Sequence, residues 1–185
     1  YPDAKVGIGS RIVEVQEYFK NKFNLNNLSP DGSQFDCLFS DNENINCGKL
    51  EFQVIFTPGH TPACVSYLFE DCIFTGDSIF MPDSGTGRCD FPGGSVPDLF
   101  NSIKNIIYQL PEEIKVFVGH DYQNNGKREL LFQTTVGDQK RNNTHLSDKT
   151  SLDEFTDFRN KRDALLRPPR LLRPSISRNI CGVNS

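Results

Sequence analysis

Apolar residues along the 185-residue chain recur at two intervals, one typical of helices and one of strands. Near-helical spacing predicts three helices, over Ser10–Lys22, Asp98–Leu110 and Ser151–Leu166. The third begins with Ser151 as its cap and Glu154 three positions later, the pattern of a capping box. The tail 168–185 has no such period, and we expect it to be irregular.

Short runs rich in β-branched and aromatic residues predict strands over Lys5–Ile8, Phe35–Phe39, Leu50–Phe56, Cys64–Phe69, Cys72–Thr75 and Ile114–Val118. Glu70 and Asp71 predict a hairpin between the fourth and fifth strands, and Asp41–Asn46 predicts an Asn-rich turn. Because the central strands are contiguous and linked by hairpins, the pattern indicates a single α+β domain of stacked layers over residues 1–185.

Composition narrows the class of protein. Hydrophobic residues make up 36% of the chain and charged residues 24%, as in globular proteins. The net charge of −4 argues against nucleic acid as a partner, since phosphate binding needs concentrated Lys and Arg. No run of apolar residues is long enough to cross a membrane, so no membrane partner is expected. The sequence is compatible with a homodimer.

The chain has six cysteines but no Cys-x-x-Cys pair, which argues against a cysteine-based zinc site. Cys64 and Cys72 lie in apolar, strand-like runs, and no compact disulfide framework is visible. We therefore expect reduced, mostly buried thiols in an intracellular protein, with a cytoplasmic and a mitochondrial location both compatible with the sequence.

Three residues with metal-binding side chains occupy the same kind of position. His60, Asp77 and His120 each follow a glycine at the end of an apolar strand, and strand ends in one sheet open into a shared cleft. Two imidazoles and a carboxylate suit non-haem Fe(II) or zinc. A hydrogen-bonded loop residue is the commoner role for any one of them, and their common position makes metal binding an equal alternative. His145 lies in a polar loop, where a loop role is expected.

Three motifs carry a family resemblance. Thr57–Cys64, Thr75–Asp77 and Val118–Tyr122 resemble, in order and spacing, the second, third and fourth metal motifs of the metallo-β-lactamase superfamily. The stretch Gly76–Phe91 is similar to the persulfide dioxygenase and glyoxalase II branch, and within it to the β-lactamase-like hydrolase subgroup. The similarity extends over nearly the whole chain and implies an αββα sandwich.

One motif of that family does not occur in this sequence. The family begins its metal site with His-x-His-x-Asp-His, which the resemblance places upstream of Tyr1. We therefore expect an N-terminally truncated αββα sandwich that binds metal weakly and is inactive by itself, because removing ligands removes most of the coordination free energy.

The resemblance implies a metalloenzyme that uses one Fe(II), with zinc as an alternative and one metal favoured over two. His60 and Asp77 would be ligands, and His120 would lie beside the iron or bind a second metal. Glutathione persulfide and O₂ would be converted to glutathione and sulfite. The alternatives are a glyoxalase II-like hydrolase that uses two metals on a glutathione thioester, and a non-catalytic remnant of the fold.

Three further residues receive roles from the same comparison. Arg88 is expected to contact a glutathione carboxylate, because a guanidinium pairs with carboxylates in a fork, or to act as a gate near the sulfur. The alternative is a loop arginine that bonds backbone carbonyls. Tyr122 is expected at the substrate cleft, with ordinary packing as the alternative. Asp121 is expected to orient His120 by a hydrogen bond from behind the metal ligand.

Overall fold

The computed structural model describes residues 3–182. Its strands are β1 Gly7–Gly9, β2 Cys37–Phe39, β3 Asn44–Cys47, β4 Leu50–Phe56, β5 Val65–Leu68, β6 Cys72–Phe74, β7 Lys115–Phe117 and β8 Gln133–Thr135. Its α-helices are α1 Ile12–Phe23, α2 Val96–Asn101, α3 Gln123–Gly126, α4 Val136–Asn142, α5 Leu152–Asp163 and α6 Leu172–Ile180. A π-turn, Ser102–Ile106, and a 3₁₀ turn, Ile107–Gln109, continue α2.

Six strands form one sheet in the chain order β3-β4-β5-β6-β7-β8, and β1 and β2 form a separate parallel pair. Within the six-stranded sheet only β6 and β7 pair in parallel. The predicted strand Leu50–Phe56 and the β5–β6 hairpin are confirmed. The mixture of helices and strands agrees with the predicted α+β class.

Helices cover one face of this sheet. Ile73 of β6 and Val116 of β7 are fully buried there, against Leu99 and Ile103 of the α2 segment and Phe155 of α5. The capping box of α5 is present, with Ser151 and Glu154 bonded to each other's backbone N–H groups, as predicted. Burial of these apolar side chains is the main force that holds both helices on the sheet.

Aromatic side chains form a row on the strands β6, β7 and the segment before β8. The Phe74 and Phe117 rings stack at 5.0 Å, and the Phe117 and Phe132 rings at 6.3 Å. Phe74 is 43% exposed and Phe132 is 61% exposed, which differs sharply from the fully buried residues of the helix-covered face.

Two of the predicted irregular regions are regular. The prediction of an Asn-rich turn over Asp41–Asn46 is wrong in its second half, because Asn44–Cys47 pairs with β4 as strand β3. The prediction of an irregular tail over 168–185 is wrong in part, because Leu172–Ile180 forms helix α6. Ile176 and Ile180 of this helix pack against α1. Pro174 is tolerated because the first helical turn leaves its N–H groups unpaired.

The remaining differences are local. Arg11, and not Ser10, stands before α1, and no side chain caps that helix. The six cysteines are free as expected, but only Cys89 is buried. No helix among residues 3–182 has both the length and the apolar character needed to cross a membrane.

Candidate metal centre

The strands β4, β6 and β7 run in the same direction, so their carboxyl ends meet at one edge of the sheet. His60, Asp77 and His120 lie in the loops just beyond these ends, as the sequence predicted. Gly76 turns the chain into the Asp77 loop with a φ of +52°, a conformation that glycine adopts without strain. A Cβ on Gly119 would lie 2.9 Å from Asp77 Oδ1, so the close approach of the two loops requires a residue without a side chain.

The structure brings the three predicted metal ligands together around the carboxylate of Asp77. His60 Nε2 lies 3.6 Å from Asp77 Oδ2, and His120 Nε2 lies 3.5 Å from Asp77 Oδ1. Two donors bound to one metal ion at about 2.1 Å are roughly 3.0–3.4 Å apart at tetrahedral or octahedral angles. Both distances are therefore slightly longer than those of donors that share a metal ion.

The donor atoms fit a metal ion in kind, since two imidazole nitrogens and a carboxylate face one another. They do not complete a site by themselves. Among the described residues, no group of three or more His, Cys, Asp or Glu side chains is arranged to hold a metal ion. The fit is thus partial, and a complete site would require additional ligands.

His60 is held firmly. Its side chain is 12% exposed, and its Nδ1 lies 2.7 Å from the carbonyl oxygen of Arg88. A carbonyl only accepts, so Nδ1 carries a proton, and in the neutral imidazole the lone pair of Nε2 is directed toward Asp77. The edge of the ring also meets Phe91, at a centroid distance of 5.1 Å.

The side chain of His120 is fixed by fewer contacts than that of His60. Its side chain is 60% exposed, and its ring contacts those of Phe80 and Tyr122, both at 6.2 Å. Apart from the approach to Asp77, no polar contact within residues 3–182 fixes this imidazole. The two histidines therefore occupy equivalent strand ends but differ in how firmly the protein orients them.

The prediction that Asp121 orients His120 is wrong. The Asp121 side chain is 3% exposed, and Arg128 donates to both of its oxygens at 2.6 and 2.7 Å. The backbone N–H groups of Leu131 and Gln123 also donate to it. Hydrogen bonds from Arg128 and these amides lower the pKa of Asp121 to about 2. Asp121 thus stabilises its own loop, because its oxygens are already fully used.

Arg88 and Tyr122 line the same cavity as the three predicted ligands, a space of about 540 Å³. The guanidinium of Arg88 forms a two-pronged pair with Asp90, at 2.5 Å for each bond, and also donates to the carbonyl of Arg167. Its contact with a substrate carboxylate therefore remains a prediction. Tyr122 is 57% exposed and its ring meets Phe80 edge-on, which places it at the open side of the cavity.

His145 has the hydrogen-bonded loop role that the sequence predicted, but it also lines this cavity, which the sequence did not indicate. Its Nδ1 accepts a hydrogen bond from Thr86 N–H at 2.9 Å, and its ring packs on Phe158. Burial, followed by the charges of Arg159 and Arg162, lowers the pKa of His145 to about 3. His145 is thus neutral near pH 7, and as a hydrogen-bond acceptor it fixes the loop at Thr86, next to the predicted metal ligands.

The helix α5 contributes two arginines and a carboxylate to the same region. Arg159 is 1% exposed, lines the cavity and pairs with buried Asp163 one turn later. Arg162 also lines the cavity, and within residues 3–182 no carboxylate lies at ion-pair distance from it. Nothing in the local sequence of this charged helix predicted that its side chains line a cavity; only the tertiary packing of α5 reveals it.

The sequence-family model of the metallo-β-lactamase superfamily matches residues 13–120, more than half of the chain. The chain belongs to the metallo-β-lactamase superfamily. It is 51% identical over 182 residues to glyoxylase B2 of Dictyostelium discoideum, a match that covers 97% of this chain and 62% of the relative. A β-lactamase hydrolase-like protein of Agrobacterium fabrum is 42% identical over 97% of this chain and 41% of its own length.

A more distant relative is the mitochondrial persulfide dioxygenase ETHE1 of Bos taurus, 29% identical over 83% of this chain and 57% of the relative. Among solved structures, the crystal structure of ETHE1 from Myxococcus xanthus superposes with a TM-score of 0.71 and 31% identity. It covers 80% of this chain and 60% of that one. The superfamily and its fold are therefore established, and this chain spans less than two thirds of these relatives' length.

Proposed function

We propose that the domain formed by residues 1–185 belongs to a persulfide dioxygenase that oxidises glutathione persulfide with O₂ at one non-haem Fe(II). The observation that carries the proposal is the unequal support of the two histidines. His60 is 12% exposed with its Nδ1 bonded to the Arg88 carbonyl, whereas His120 is 60% exposed without such a bond. Because a hydrogen bond behind a metal ligand strengthens its binding, this asymmetry supports one metal position at His60 and Asp77.

In this proposal His60 and Asp77 hold the iron together with ligands from outside this set, and His120 lies beside it. When bound, Fe(II) would supply the redox chemistry by which O₂ oxidises the persulfide sulfur. Overall, glutathione persulfide, O₂ and water give glutathione, sulfite and two protons. The outer sulfur loses four electrons, and O₂ gains them.

The remaining cavity residues suit a substrate that carries carboxylates. The cavity, of about 540 Å³, has a size typical of small-molecule sites. Of the arginines that line the cavity, Arg162 is the one without a carboxylate partner in the described part of the chain. Its guanidinium is therefore the one best able to bind a carboxylate of the substrate. Arg88 would contribute if its pair with Asp90 opened, and exposed Tyr122 would contact the peptide part of glutathione.

A second function is favoured by a different observation. The two oxygens of Asp77 face different histidines, Oδ2 facing His60 and Oδ1 facing His120, as a carboxylate that bridges two metal ions would do. Two metals would suit a hydrolase that acts on a glutathione thioester. The name of the Dictyostelium relative, glyoxylase B2, is in keeping with this alternative.

Oxygen uptake distinguishes the two functions. The longest natural form of the protein would be loaded with Fe(II) without oxygen and then mixed with glutathione persulfide and O₂, with the 185-residue chain tested in parallel. Rapid uptake with one sulfite formed per O₂ is expected of the longer protein. A matched sample would receive S-lactoylglutathione in place of the persulfide.

Each outcome has a distinct meaning. Thioester hydrolysis without oxygen uptake, by the same metal-loaded protein, would replace the dioxygenase by the hydrolase. Neither activity, in protein whose metal content had been measured and found complete, would contradict both and leave a non-catalytic member of the fold.

A further inference from the structure

The peptide group between Arg88 and Cys89 is hydrogen-bonded at both of its ends. Its carbonyl oxygen accepts from His60 Nδ1 at 2.7 Å. Its N–H donates to Asp163 Oδ2 at 2.9 Å. A single peptide bond therefore connects the carboxylate at the end of α5 with an imidazole that is 103 positions earlier in the chain.

Both oxygens of Asp163 have a partner, and this arrangement directs Oδ2 at the Cys89 N–H. Its side chain is 7% exposed, and its second oxygen, Oδ1, pairs with Nη2 of buried Arg159. Arg159 also donates from Nη1 to the carbonyl of Thr86 at 3.3 Å, so the same pair supports the loop from both sides of Gly87. A buried carboxylate needs partners for both oxygens, and here both have one.

The electrostatic consequence reaches the metal side of His60. A carboxylate that accepts from an amide N–H draws positive charge to the nitrogen and increases the negative charge on the carbonyl oxygen of the same peptide. That oxygen then holds the Nδ1 proton of His60 more strongly. The Nε2–H tautomer is thereby disfavoured, and the Nε2 lone pair remains directed at Asp77.

We propose that Asp163 is a positioning residue for His60, acting through the Arg88–Cys89 peptide to fix the imidazole with its proton on Nδ1. The consequence for metal affinity rests on the ligand role of His60 in the proposed function. The effect on the tautomer does not depend on that role, so the two can fail separately.

The test is Asp163→Asn, measured by ¹⁵N NMR of the His60 ring in histidine-labelled protein at pH about 8.5, where an ordinary imidazole is neutral. An amide has no charge to polarise the peptide, and its NH₂ group must face either Cys89 N–H or Arg159. We expect the two ring nitrogen shifts of His60 to move toward each other as the second tautomer becomes populated. Zn²⁺ affinity, measured by competition with a chromophoric chelator, should fall about tenfold.

The matched control is Glu154→Ala, which removes the capping box of the same helix and leaves Asp163 and the peptide in place. It should lower the melting temperature without changing the His60 shifts or the Zn²⁺ affinity. Equal shift changes in both variants would reduce Asp163 to a purely structural role and overturn the proposal. Unchanged His60 shifts in Asp163→Asn would do the same.

A measurement on the unaltered protein protects the test against a variant that does not fold. His60 must show the Nδ1–H tautomer without any substitution, and finding the Nε2–H form would refute the proposal directly. If the tautomer responds to Asp163→Asn but the iron-loaded protein takes up no oxygen, the dioxygenase function fails and the role of Asp163 stands.

Discussion

The His60 side and the His120 side of the candidate metal centre begin alike and end differently. Each histidine follows a glycine at the end of a strand of one sheet, and each presents Nε2 to the carboxylate of Asp77. Behind His60 stand the Arg88–Cys89 peptide and the buried carboxylate of Asp163. Behind His120 the neighbouring Asp121 turns away and binds Arg128.

The comparison shows that position in a strand-end loop and orientation of the side chain are separate properties. The sheet alone brings His60, Asp77 and His120 to one edge. Orientation comes from other elements: α5 holds the loop around Arg88 and Cys89, and the Arg88 carbonyl bonds His60. We infer that metal affinity depends mainly on His60 and Asp77, which gives the expectations below.

The largest loss of metal affinity is expected from Asp77→Asn, because this carboxylate faces both histidines. Its removal therefore affects the His60 side and the His120 side alike. A neutral amide binds divalent metals weakly, so affinity should fall by more than the roughly 100-fold that loss of a partner behind a ligand costs. Competition titration with Zn²⁺ on the longest natural form of the protein measures the change.

Asp71→Asn is the matched control for that substitution. Asp71 is an exposed carboxylate at the β5–β6 hairpin, and its partner is Lys115. It should leave the affinity unchanged. A similar loss in both variants would mean that Asp77 acts only through general charge and is not a ligand.

A smaller effect concerns the pH dependence of folding stability. It comes from His145, which bonds Thr86 in the loop next to His60. The pKa of His145 is lowered to about 3 in the folded protein, against about 6.5 for an unfolded histidine. Between these values the unfolded chain binds the extra proton, so stability is lost as the pH falls from about 6.5 toward 3. The slope from this one group approaches about 1.4 kcal/mol per pH unit.

Urea unfolding at several pH values tests this contribution. His145→Asn retains an acceptor for Thr86 N–H but cannot take up a proton, so its free energy of unfolding should decline less between pH about 6 and 4. Equal slopes for the two proteins would show that His145 is not kept neutral by its surroundings. Asp121 adds a slope of its own below about pH 5, because its pKa of about 2 in the folded protein lies below the roughly 3.9 of an unfolded Asp, but this slope is common to both proteins and cancels in the comparison.

The regular features could be predicted because their signals are local. The strand Leu50–Phe56 and the capping box of Ser151 and Glu154 were both confirmed at the predicted residues. Where an element depends on its contacts with another element, the prediction was wrong. Strand β3 consists of residues with turn-like preferences and forms by pairing with β4, and α6 forms where Ile176 and Ile180 meet α1.

The same distinction divides the candidate site. His60, Asp77 and His120 are recognisable because each ends an apolar strand after a glycine, and the structure brings them together. Asp163 and the position of His145 at the cavity were missed because their hydrogen bonds, to Cys89 and to Thr86, connect segments 74 and 59 residues apart. No short pattern in the sequence encodes such contacts.

The most direct test of the account compares metal affinity and stoichiometry in His60→Ala and His120→Ala of the longest natural form, loaded with Fe(II) anaerobically. We expect one iron per chain, nearly all of it lost in His60→Ala and most of it retained in His120→Ala. Equal losses from both variants, together with two metal ions per chain in the unaltered protein, would contradict the single position at His60 and Asp77.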